Sequence, residues 1–410
     1  MTHSSSPARV PAAGVRRLTT TLYGYAFLDE LVLLYPVYAL LFADTGLSVW
    51  QISSLFALWS ATNVLLEVPS GAWADAVSRR RLLWLDPLLT AAGFALWVLV
   101  PSYGAFALGF VLWGAGGALG SGALQALVYD ELDRLGAAGR YARVMGRART
   151  AGLVAVVAAM GLAGPVLAWG GYAAVGAASV LVCLLTAATA TRFPEHRRPV
   201  AGSGGWTGTL RAGLAEARAD RSVRGALLLV PAVSAVWGAL DEYTPLLVRE
   251  TGVAPDTVPW LLLVVWAGAM AGGLLAGAAE RLGTGGFAVL LAVAGPALAA
   301  GGAAGTPAGL LLVALAFGGF QLATVVADAR LQRRIDATGR ATLTSVAGLG
   351  TELATVTAFG AYAATGTAAG HGTAFAWAAV PYLVTAAVLA AGAARARSQA
   401  AARPRDSAPS

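Results

Sequence analysis

Glu67-Val-Pro-Ser-Gly-Ala-Trp-Ala-Asp75, followed by Ala76-Val-Ser-Arg-Arg-Arg81, separates two apolar runs that are each long enough to cross a bilayer. A helix needs about 20 apolar residues for such a crossing. Three consecutive arginines are too costly in hydrocarbon, so they mark a loop on one membrane face. Outward from this loop the pattern repeats until the chain reads as twelve apolar segments. All 28 basic residues are arginines, and only Arg249 falls on the side opposite Arg79, Arg80 and Arg81. Cationic loops are retained in the cytoplasm during insertion, so this bias predicts both chain ends inside.

Composition agrees. The chain is 57% hydrophobic and 12% charged, with a mean hydropathy of +0.68, against about 25% charged in soluble domains. A net charge of +7 can suggest nucleic acid. Here the arginines sit in short loops between apolar runs, where anionic lipid headgroups are the natural neighbours, and no nucleic-acid role is expected. The single cysteine, Cys183, rules out an internal disulfide or a cysteine-rich metal site, and no cofactor is expected. The polar start of the chain shows no cleavable signal peptide.

The expected spans are 18–43, 49–76, 81–101, 104–131, 147–168, 171–192, 224–248, 257–280, 284–304, 307–330, 341–366 and 373–394. They define a cytoplasmic tail at 1–17, a six-helix half at 18–192, a linker at 193–223, a second half at 224–394 and a tail at 395–410. The linker carries Gly202 to Gly205, and its stretch from Leu210 to Arg221 has the makings of a surface helix. The fold class is therefore an all-α membrane protein of twelve transmembrane helices in two six-helix halves. The halves echo each other: Leu28-Asp29-Glu30 precedes Pro36, and Leu240-Asp241-Glu242 precedes Pro245, with 212 positions between the acidic pairs. Gln125 and Gln321 hold related positions in spans 4 and 10.

The opening segment resembles the loop signature of the major facilitator superfamily. Gly71, Asp75, Arg79 and Arg80 match its glycine, acid and basic pair, while Ala76 and Ser78 depart from it. The Glu67-Val-Pro-Ser-Gly lead-in is similar to a segment of many bacterial members. The resemblance implies two halves that rock about a central site between spans 1, 4, 7 and 10. It also implies a gate made by this loop. Gly71 would let helices approach, Asp75 would face a helix N-terminus, Arg79 and Arg80 would pair with acids or headgroups, and Glu67 would support the gate. Span 5 carries Gly152, Gly161, Gly164 and Pro165, similar to the glycine series of drug-exporting antiporters and suited to close, kinked packing.

An ionisable group in mid-bilayer costs about 2.5–3.5 kcal/mol on insertion scales and calls for a use. Asp29 and Glu30 lie in span 1, Asp241 and Glu242 in span 7, and Glu352 in span 11. Neighbours on a helix point about 100° apart, so each acidic pair must divide its attention. No arginine is expected deep enough to neutralise them, so they would be protonated, hydrated or cation-bound during part of a cycle. Asp86 and Asp130 are expected to pair with loop arginines. Tyr25, Tyr35, Tyr38, Trp59, Trp113, Trp237 and Trp266, with Gln125 and Gln321, are the candidate cavity lining.

The expectation is a secondary active transporter, not an enzyme, that exports a small organic compound against protons. No nucleotide loop, metal cluster or histidine–nucleophile pair is evident. A proton symporter or facilitator that imports a metabolite, or a non-transporting sensor on the same fold, are the alternatives. The expected partners are a small-molecule substrate, protons and the plasma (inner) membrane bilayer, and the expected state is a monomer.

Overall fold

Hydrocarbon offers no hydrogen bonds, so a spanning chain must satisfy its backbone internally. Every regular element among the described residues is accordingly helical. A computed structural model describes residues 12–76, 78–120, 122–196, 221–279, 282–334 and 340–402. The chain divides into two compact units, one of residues 1–203 with Pro255–Trp260, the other of Gly204–Ala254 with Leu261–Ser410.

The first stretch of chain forms α1 (Ala12–Glu30), α2 (Tyr38–Asp44), α3 (Val49–Ala76), α4 (Arg79–Leu99), α5 (Tyr103–Gly120), α6 (Ala123–Arg134) and α7 (Tyr141–Ala190). The second forms α8 (Arg221–Glu250), α9 (Val258–Ala279), α10 (Thr284–Ala303), α11 (Leu310–Arg334), α12 (Arg340–Trp377) and α13 (Val380–Ala402). Nine described stretches are long and apolar enough to cross a membrane. Two of them hold a pair of crossings each. The chain turns at Gly171 (φ 62°) within α7 and at Gly370 (φ 84°) within α12, backbone conformations that only glycine adopts readily. The broken α1–α2 segment completes twelve.

Helices outrun the apolar windows at several ends. The first begins at Ala12, not 18, α8 begins at Arg221, and α13 continues to Ala402. Arginine stems lie along apolar surface while their heads stay in water, so a helix need not stop where hydropathy does. The expected linker helix and both chain ends (1–11 and 403–410) lie outside the described residues.

Span 1 is not one helix. Pro36 has no N–H and disfavours helical geometry at Tyr35, and the chain is unwound from Leu31 to Val37. The freed Leu34 N–H donates to Ser179 Oγ in the second half of α7, at 3.0 Å. The second unit holds a milder version of this interruption. The Trp237 N–H of α8 donates to the Tyr382 hydroxyl of α13 at 2.8 Å, and that hydroxyl lies 3.5 Å from the Val233 carbonyl. Leu34 and Trp237 are 203 positions apart, and so are Ser179 and Tyr382. The offset of this shared contact differs from the 212 positions between the acidic pairs.

Packing in each unit follows small residues and rings. In the first, Tyr38, Phe42, Trp97, Phe106, Phe110 and Trp113 interlock, with Phe42 and Phe106 centroids 4.4 Å apart. In the second, α9 and α11 touch backbone to backbone, and a Cβ on Gly268 or Gly272 would run into the carbonyl of Ala314 or Gly318.

Candidate functional site

The acids sit in two groups, one per unit. In the first, Asp29 lies at the last turn of α1, directly before the break, and its side chain is exposed. Its electrostatic neighbours are Asp86 of α4 and Glu30. Tyr25, one turn earlier and 2% exposed, donates its hydroxyl to the Leu83 carbonyl at 3.4 Å and faces Asp29, Asp86 and Cys183. Glu30 points elsewhere, as helical spacing requires. Its side chain packs on Gly152 of α7, where a Cβ would come within 3.2 Å, and Arg149 attracts its carboxylate. This corrects the expectation that no arginine reaches these acids. Span 5 begins on an arginine-rich turn, and Gly152, one turn on, leaves room for Glu30 to approach.

Asp86 also departs from expectation. Among the described residues it pairs with no loop arginine. Its carboxylate lies against Gly116 and Gly120 of α5, where added Cβ atoms would stand 2.6 and 2.5 Å from its oxygens. The sequence signal for this placement was the glycine series of span 4, which opens a slot opposite an acid. Asp130 does meet a loop arginine, Arg79. The Arg79 N–H donates to Glu195 at 2.7 Å, Ser78 donates to the same carboxylate, and Arg80 reaches the Phe193 carbonyl at 3.4 Å. Beside them Glu131, 2% exposed, accepts from the His196 N–H at 2.7 Å and pairs with Arg134 at 3.0 Å. The arginine loop is thus tied to the end of span 4 and to the chain leaving span 6. The side chains of Glu67, Gly71 and Asp75 lie outside the described residues.

Several of the expected cavity aromatics pack on one another. Tyr35 stacks on Trp113 at 5.3 Å, Trp113 stacks on Trp59 at 4.9 Å, and Tyr38 is buried among their neighbours. Tyr35, Trp59 and Trp113 remain half-buried. Gln125 is exposed on α6. Trp260 lies over Gly161 and Gly164, and a Cβ on Gly164 would strike the Asp256 carbonyl. Pro165 lies within α7 without ending it.

In the second unit Asp241 and Glu242 are half-buried on α8. Asp241 is hydrogen-bonded by the Trp266 side chain, while Glu242 has no hydrogen-bond partner among the described residues. Trp237, one turn before Asp241, donates its indole N–H to Thr324 at 3.2 Å and meets Phe317 edge-on. Gln321 packs its side chain against Gly273. Glu352 is half-buried on α12. Among the described residues, each unit therefore holds two carboxylates with no cation given beside them, Asp29 and Asp86 in one and Asp241 and Glu242 in the other.

Comparisons with known proteins follow the same lines. The sequence model of the Major Facilitator Superfamily matches residues 21–359. No curated protein matches the sequence. Among solved structures, the nucleoside transporter NupG (D323A mutant) superposes with a TM-score of 0.75 at 12% identity, over 92% of this chain and 98% of that one. A bacterial homolog of the human lysosomal transporter Spinster, in an inward-facing and occupied conformation, gives 0.68 at 18% identity over 95% and 98%. The POT family transporter PepTSo gives 0.66 at 13% over 94% and 99%.

Proposed function

Because the chain belongs to the major facilitator superfamily, we propose that it is a proton-coupled secondary transporter that exports a small organic compound by alternating access. The observation that carries this reading is the pair of carboxylate groups without a basic neighbour, Asp29 with Asp86 and Asp241 with Glu242. A carboxylate at bilayer depth is tolerated when it takes up a proton or another cation during part of a cycle. Asp29 is the acid that also has access to open space, so it is the one to exchange protons with substrate. Glu30, held by Arg149, is left a structural part.

The arginine-rich face is assigned to the cytoplasm of the plasma (inner) membrane, which sets the export direction for a proton entering from the other side. Ser78, Arg79 and Asp130 would steady the inner gate, with Asp75 at the same end of α3. The likeness to nucleoside and peptide transporters at 12–13% identity carries the fold and not the substrate.

The test is Asp29→Asn in reconstituted vesicles. The variant should insert and fold as the parent does and lose proton-linked transport. Parental coupling in that variant would remove Asp29 from the mechanism.

A further inference from the structure

The second unit leaves a groove where its last helices part from α8. It lies between α8, the first half of α12 and the junction of α12 with α13, and holds about 370 Å³. Its floor is one face of α12, formed by Ala354, Ala358, Ala361 and Thr365. Their small side chains leave the space that Val236, Leu240 and Tyr243 of α8 bound on the other side. Pro381 supplies the opening. It has no N–H with which to continue a helix, and the chain is interrupted at 378–379, between Trp377 and Val380. The walls offer hydrocarbon and little else. No charged side chain lines them. Thr357 Oγ1 donates back to the Leu353 carbonyl at 2.8 Å, and Thr365 Oγ1 to the Ala361 carbonyl at 2.9 Å. The Tyr362 ring stacks on Tyr243 at 3.6 Å, and its hydroxyl meets His371 Nδ1 at 2.7 Å. A polar ligand would give up its water here without compensation, so the groove suits an apolar one.

Length and surroundings say which hydrocarbon fits. Ala354 stands about halfway along α12 between Arg340 and the turn at Gly370, and Thr365 follows after a further rise of about 16 Å. That is the depth of one leaflet, half of a hydrocarbon core about 30 Å thick. Beyond Thr365 the surface turns polar, where Glu250 accepts from the N–H groups of His371 and Gly372 at 3.2 and 2.8 Å. The mouth of the groove is continuous with an exposed stripe of the last span. Trp377, Val380, Val384 and Val388 are all exposed and, at spacings of three or four, share one face that ends at the exposed Arg395. Trp377 and Arg395 are about 27 Å apart along the helix axis. An aromatic and a basic anchor one hydrocarbon thickness apart mark a face turned to lipid.

We infer that the groove holds one acyl chain of a phospholipid from the leaflet away from the arginine-rich face. A volume of about 370 Å³ drawn out over three turns of α12 is as wide as a single chain and has no chamber for a fused-ring body. The chain enters past Trp377 and Val380 and lies beside Val236 and Pro381, next to the hydrogen bond between Trp237 and Tyr382. Filling the space supplies dispersion contacts that the walls of a void lack, so an occupied groove steadies α8 against the interrupted last span. The inference needs the bilayer that the fold requires and does not need proton coupling. It stands or falls apart from the role given to Asp29.

The experiment places the full-length protein in vesicles of phosphatidylethanolamine and phosphatidylglycerol, doped with a phospholipid that carries a diazirine on its acyl chain. After illumination and peptic digestion, mass spectrometry locates the label. The expected result is label concentrated between Ala354 and Thr365 and around Val380, saturating as the probe fraction rises. It should be at least fivefold weaker in Ala361→Phe, whose ring would fill the groove from an exposed position. Val388→Phe, on the lipid-facing stripe outside the groove, should label as the parent does. Should Ala361→Phe fail to fold, Thr357→Phe, also exposed and one turn deeper, carries the same comparison. Label spread evenly over the exposed helix faces, label unchanged in a folded groove variant, or an equal loss in Val388→Phe overturns the inference. So does label displaced by an uncharged lipophilic compound but not by unlabelled phospholipid, which would make the groove a route for substrate. None of these outcomes alters the test of Asp29→Asn, so the two readings fail separately.

Discussion

Replacing Tyr382 with phenylalanine probes the helix interruption of the second unit. The ring should stay in place, because its stack on Phe320 (centroids 3.7 Å apart, 14° between planes) needs no hydroxyl. What disappears is the acceptor 2.8 Å from the Trp237 N–H and the donor 3.5 Å from the Val233 carbonyl. Left orphaned, such groups would cost about 1–3 kcal/mol each. Trp237 and Val233 are four apart on α8, however, so the helix can close its own ladder once the intruding hydroxyl is gone. The net cost is then about 1 kcal/mol, or roughly 2–4 °C in melting temperature for a domain of this size. Ser179→Ala should behave differently. Residues 31–37 are held open by Pro36, so the Leu34 N–H has no ladder to rejoin and the loss should approach about 1–3 kcal/mol. Fluorescence-detected melting of both variants, with transport turnover measured alongside, makes the comparison. Straightening α8 should slow turnover in Tyr382→Phe more than its small stability loss suggests. The reasoning is refuted if Tyr382→Phe melts lower than Ser179→Ala, or if Tyr382→Phe turns over at the parental rate.

Three further outcomes are expected. Gly272→Ala should destabilise by about 1–3 kcal/mol, as overpacking does, because its Cβ would collide with the Gly318 carbonyl; a melting temperature equal to the parent's would show that α9 and α11 are not in backbone contact. A double-mutant cycle between Arg79→Ala and Asp130→Ala should give a stability coupling below about 1 kcal/mol, since Asp130 is half exposed. The same pair should couple strongly in turnover, and equal, additive effects on rate would detach it from the gate. Glu131→Ala should release the His196 segment and speed tryptic cleavage at Arg192, while unchanged cleavage would mean that the buried carboxylate does not hold that strand of chain.

The spans were legible because hydrocarbon imposes the same length and polarity on every crossing, and the arginines between them recorded the loops. The turns at Gly171 and Gly370 fall at the start of one expected span (171–192) and between two others (341–366 and 373–394) for the same reason. The hinge was not legible. Pro36 signals an interruption, but nothing local tells that Ser179, 145 residues away, will receive the freed N–H. The contact common to both units is carried by a backbone N–H and a hydroxyl, which leave no shared local motif such as the Leu-Asp-Glu echo. That Tyr35, Tyr38, Trp59 and Trp113 pack on one another was not legible, because an aromatic side chain packs equally well on a ligand or another ring. Asp86 was misplaced because its partner is an absence of side chains at Gly116 and Gly120.

Proton movement in sealed proteoliposomes, reported by a trapped pH dye while an organic-cation panel is applied as a gradient, puts the acid-coupled exchange to its most direct test. With an active compound, protons should move against the compound, and Asp29→Asn should move neither in a coupled manner. Compound flux with a silent dye, or proton flux in the same direction as the compound, would contradict proton-driven export by this chain.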